Sequence, residues 1–67
     1  MAVTFTEMHK EAAREVAMRR ATYSKLTRQG LLNPIIAERQ IEVMEAISKH
    51  LAGLASLEED ETEPRLL

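Results

Sequence analysis

The chain has no cysteine and no tryptophan, two glycines, two prolines, and only Phe5 and Tyr23 as aromatic residues. Each shortage closes a route. Without Cys there is neither a disulfide nor a thiolate metal site. A chain of 67 residues is short enough that one core is marginal unless a disulfide, a metal or a partner chain assists it, and two rings cannot supply the missing burial. Two isolated glycines make no phosphate-cradling loop. No apolar run approaches the length of a membrane span, so no membrane partner is expected. The opening Met1-Ala2-Val3-Thr4 lacks the basic-then-apolar pattern of a signal peptide, which together with the missing Cys predicts a cytoplasmic protein.

What is present is a charged, helix-forming sequence with an uneven charge distribution. Net charge is −2, but residues 1–30 hold six Lys/Arg against three Glu, and residues 31–67 hold three Lys/Arg against eight Asp/Glu. Thr4 and Glu7 have the spacing of a capping box, and Val3 and Met8 occupy the flanking staple positions. Nothing then breaks a helix before Gly30, which suits the positive-φ residue after a helix end, with Leu31 and Leu26 as the accompanying apolar pair. Asn33 is a good N-cap and Pro34 a favoured first helical residue. The spacing predicts a first helix over about 5–29, a turn over 30–33, and a second helix from 34 to about 52, or to 57 if Gly53 is interior at a cost of about 1 kcal/mol. Residues 58–67 begin with Glu58, Glu59, Asp60 and Glu61 and lack an apolar face, so they predict a disordered acidic tail. A short connection makes neighbouring helices antiparallel. The expected fold is therefore all-α: an antiparallel two-helix hairpin over 1–57 that dimerises into a four-helix bundle, with the tail at 58–67.

The helix faces carry the dimer expectation. At 100° per residue, Phe5, Met8, Ala12, Val16, Tyr23 and Leu26 share one stripe of the first helix, and Arg19 falls inside it. The second helix is apolar over a wider arc that includes Ile36, Ala37, Ile41, Val43, Met44, Ile47, Leu51 and Leu54, with Gln40 inside it. One hairpin partner covers only one side of such an arc, and the remainder is a partner site, most simply for a second copy. The expected oligomer interface comprises Val16, Arg19, Tyr23, Ile36, Gln40, Val43, Met44, Ile47 and Leu51. Arg19 has three readings: a packed stem with its head in water, a polar layer that sets register, or a contact for an external ligand.

Chemistry is sparse. His9 and His50 are the only imidazoles and follow no metal-ligand spacing. Glu38, Glu42 and Glu45 share an outer face, where Glu45 and Lys49 form an i,i+4 pair. Ser24, Ser48 and Ser56 lack a base or an oxyanion arrangement, and two helices lack the concave walls that exclude water. No catalytic residue, cofactor or metal is expected, and the protein is not expected to be an enzyme. Lys10, Arg14, Lys25 and Arg28, with Arg20 towards one edge, form a basic stripe of the kind that follows phosphates. Flanking Glu7, Glu11 and Glu15, the acidic balance and the absence of a third helix weigh against nucleic acid as the main partner.

Glu15, Ala17, Met18 and Arg19, then Tyr23, Gly30, Ala37, Ile41, Met44, Ala46 and Ile47 make a spaced pattern. Over Glu15 to Ile47 the chain resembles a group of short helical proteins encoded by bacterial phages and prophages. That pattern carries a Pro after the Tyr and a Met in the turn, where this chain has Ser24 and Leu32; the first change leaves a bend near Tyr23 open. The resemblance implies a small accessory protein of phage or mobile-element type, in a bacterial host cell, and supplies no mechanism. The expected function is protein–protein interaction, as an adaptor or inhibitor of a host protein; the alternative is a small nucleic-acid-associated protein using the basic stripe.

Overall fold

The computed structural model describes residues 2–62, which form two helices: α1, Phe5–Arg28, and α2, Pro34–Thr62. They pack against each other as an all-helical hairpin with no strand among the described residues.

The start of α1 satisfies all its orphan backbone donors. The Thr4 hydroxyl accepts from the Glu7 amide at 3.0 Å, and the Glu7 carboxylate accepts from the Thr4 amide at 2.9 Å, as the capping-box spacing predicts. The two amides between them, of Phe5 and Thr6, donate to Glu58 of α2 at 3.0 and 3.1 Å. Each of the α1 donors that the helix itself leaves unpaired thus has a carboxylate or hydroxyl partner. The far end of α1 closes as Gly30 predicts. Gly30 has φ +74°; its amide donates to the Thr27 carbonyl at 3.1 Å and the Leu31 amide donates to the Leu26 carbonyl at 2.9 Å. These are the two bonds of a Schellman ending. Leu31 is 71% exposed, so its side chain adds little burial to this turn. α1 runs through Tyr23 and Ser24 without interruption.

Asn33 begins α2. Its side-chain oxygen accepts from Ile35 at 2.8 Å and its carbonyl from Ala37 at 2.9 Å, with Pro34 at the first helical position, where no N–H is needed. α2 then passes through Gly53 and continues to Thr62. This corrects the expected end at 52 or 57 and removes Glu58–Thr62 from the expected disordered tail. The physical reason is tertiary: Glu58 is anchored on the positive end of α1, an attraction that opposes the repulsion within the acidic run. The remainder of that tail, residues 63–67, lies outside the described residues.

The core is small. Among the described residues only Ala12, Ala37 and Ala55 are buried hydrophobics, and no large side chain is fully buried. Small residues let the helix backbones approach closely but contribute little apolar area each.

Candidate interaction surface

α2 carries two stripes, and the hairpin uses one. Ala37, Ile41, Met44, Ser48, Leu51, Ala55 and Glu58 alternate by four and three residues, and each is buried or half-buried against α1. Ile36, Gln40, Val43, Ile47, His50, Leu54 and Leu57 repeat the same spacing one residue earlier. All of these are exposed except half-buried Leu54. Ile36 is 51% exposed, Val43 and Ile47 are each 44% exposed, and Leu57 is 61% exposed. A four-three alternation of apolar residues is the repeat of a coiled-coil seam.

The structure splits the expected oligomer interface between these stripes. Val16, Arg19, Tyr23, Met44 and Leu51 are half-buried and lie along the junction of α1 with α2, whereas Ile36, Gln40, Val43 and Ile47 face outwards. Arg19 ties the two helices within one chain. Its Nε donates to Glu15 at 2.8 Å and its Nη1 donates to the Gln40 main-chain carbonyl at 3.1 Å. The Glu15 hydrogen bond raises the guanidinium pKa further above its usual range, so Arg19 stays charged. Only the backbone of Gln40 takes part in that tie; its side chain is exposed.

An open groove of about 740 Å³ runs between the helices on the side of this exposed stripe. Glu7, Glu11 and Glu15 border it from α1; Met44, Ile47 and Leu51 border it from α2. It excludes no water and brings together no nucleophile and base. His9 lines a groove with Glu45 and Ser48, while His50 lines another with Glu42 and Val43. No group of three His, Cys, Asp or Glu among the described residues is placed to hold a metal.

The basic stripe is partly neutralised. Arg14 donates to both carboxylate oxygens of Glu11, at 2.7 and 2.6 Å, and this hydrogen bond raises the Arg14 pKa. Arg20 pairs across the hairpin with Glu45. The latter corrects the expectation that Glu45 faces out and pairs with Lys49: Glu45 is half-buried and takes the cation that the antiparallel register brings alongside. Lys10, Lys25 and Arg28 stay exposed, without an ion pair among the described residues.

Two features escape a reading by helix face alone. Glu58 acts as a cap for a helix more than fifty residues away in sequence, and nothing local to Glu58 signals it. The exposed stripe does have a signal, the strict four-three spacing from Ile36 to Leu57, which a broad apolar arc conceals. No described helix is long and apolar enough to cross a membrane. Compared with family models, curated proteins and solved structures, the chain matches none.

Proposed function

We propose that the protein is a non-enzymatic interaction module: a helical hairpin that associates with itself through the exposed face of α2 and acts by binding another protein. The resemblance to phage and prophage proteins suggests an accessory role in the cytoplasm of a bacterial host, as an adaptor or inhibitor of a host protein. One observation carries this reading. Among the described residues no large side chain is fully buried, while Ile36, Val43, Ile47 and Leu57 lie exposed along one stripe. Ordering each residue costs about 1–2 kcal/mol in backbone entropy, and burying one Leu or Ile returns about 1.5–3 kcal/mol. Covering the stripe therefore offers a stabilisation that the single hairpin lacks.

Light scattering on the full chain at micromolar concentration tests the self-association, and a dimer or larger assembly is the expected result. A helical, cooperatively folded monomer at every concentration refutes it. Titration with duplex and single-stranded nucleic acid across a salt series tests the alternative. The exposed cations Lys10, Lys25 and Arg28 are few, so binding is expected to be weak. Tight binding with a steep salt dependence would replace the protein-interaction reading with a nucleic-acid one.

A further inference from the structure

We propose that the second copy docks antiparallel, about a two-fold axis at the level of Arg20 and Glu45, so that α2 meets α2 and α1 meets α1 in one closed four-helix bundle. The inference rests on the self-association proposed above and adds its face, direction and register.

Three observations converge on that axis. The first is the stripe on α2. In an antiparallel coiled coil the two kinds of seam position face each other, and successive registers differ by seven residues. One register sets Ile36 against Leu54, Val43 against Ile47, and Gln40 against His50 of the second copy. Its axis passes residue 45. Like meets like: apolar with apolar, and the two polar seam residues with each other, where each finds a hydrogen-bonding partner. The next register sets Gln40 against Leu57 and His50 against Ile47, leaving polar groups facing apolar ones.

The second observation is on α1. Glu11, Glu15, Met18, Thr22, Lys25 and Gln29 also alternate by four and three, and all but half-buried Glu15 are exposed. Met18 is 55% exposed, and Glu15 and Lys25 stand five residues either side of Arg20. The same facing rule on α1 sets Glu15 against Lys25, Glu11 against Gln29 and Met18 against Thr22 of the second copy, about an axis at residue 20. Parallel pairing would stack Glu11 on Glu11 and Lys25 on Lys25. Charge complementarity therefore selects the antiparallel direction. The third observation joins the other two. The Arg20–Glu45 ion pair sets residue 45 of α2 at the level of residues 18–20 of α1, so the axes chosen independently on the two helices coincide. Both stripes border the same groove, through Glu11 and Glu15 on one side and Ile47 on the other.

The geometry agrees. The two stripes of α2 are offset by one residue, about 100° around the helix, close to the right angle that a helix in a four-helix bundle needs between its two neighbours.

A chain without Cys makes single-cysteine variants clean probes. With a short bis-maleimide, Met18→Cys and Ala46→Cys, both beside the axis, are each expected to self-cross-link. Gly53→Cys is expected not to, because its two copies lie about 24 Å apart along the bundle, but to cross-link when mixed with Arg39→Cys. In parallel, Lys25→Glu, which sets carboxylates against Glu15 of the second copy, should weaken the dimer about tenfold. Self-cross-linking of Gly53→Cys as efficient as that of Ala46→Cys means a parallel dimer and overturns the proposal. A dimer by light scattering that yields none of these cross-links also overturns it, while leaving self-association standing. A monomer throughout removes both.

Discussion

Glu58 ties the last turns of α2 to the start of α1 through three hydrogen bonds. It accepts from the Phe5 amide at 3.0 Å, the Thr6 amide at 3.1 Å and the Thr6 hydroxyl at 3.2 Å. The Phe5 amide bond lowers its pKa most, desolvation opposes, and the Thr6 bonds add to the lowering. A carboxylate whose folded pKa is depressed stabilises the fold above its unfolded pKa, and that contribution fades as pH falls through the folded value. Glu58→Gln is therefore expected to lower the melting temperature at pH 7. The gap to the parent should narrow as pH falls below the ordinary carboxylate value of about 4.3. Thermal unfolding of both proteins from pH 7 to pH 3 checks this, and a gap independent of pH would show that the Glu58 charge is irrelevant. Gly30 offers a second test at this scale. With φ +74° and nothing within 4 Å of an added Cβ, Gly30→Ala meets no clash, only the left-handed backbone penalty of about 1–2 kcal/mol. Urea unfolding measures it.

At the scale of the element, α2 is longer than its local signals predict, and its interior glycine is dispensable by geometry. Gly53 lies inside the helix, lacks a positive φ and has open space around it. Gly53→Ala is expected to stabilise by up to about 1 kcal/mol, seen as a rise of about 4–8 °C in melting temperature. Truncation after Leu57 should do the reverse. It removes the Glu58 cap as well as the last turn of α2, so the loss is expected to be at least that of Glu58→Gln. An unchanged melting temperature on truncation would mean that the last turn contributes nothing to α1.

For the whole molecule, a hairpin with an alanine core and an exposed apolar stripe should have a stability that depends on its own concentration. The melting temperature is expected to rise as protein concentration increases. Ile47→Asp, at a position 44% exposed in the single chain, should abolish the rise and lower helicity at micromolar concentration. On a monomer's surface the same change would sit within about 0.5 kcal/mol of neutral. Circular dichroism at two concentrations a hundredfold apart separates these outcomes.

What the amino-acid sequence determined by itself is local. The Thr4–Glu7 box, Asn33-Pro34, and Gly30 act over three or four residues, so their partners are dictated by spacing, and the structure places each as spacing predicts. The all-helical hairpin follows, because two capped helices joined by a short turn fold back on each other. Tertiary structure decided which polar groups meet. Arg20 with Glu45, Arg19 with the Gln40 carbonyl, and Glu58 with Phe5 and Thr6 all depend on how far one helix slides along the other. That slide is set by packing summed over the length of the junction, so no single residue announces it. The end of α2 belongs to the same class. Taken alone, an acidic run repels itself and melts. Laid against the amides at the start of α1, its first carboxylate gains hydrogen bonds, and the helix persists to Thr62.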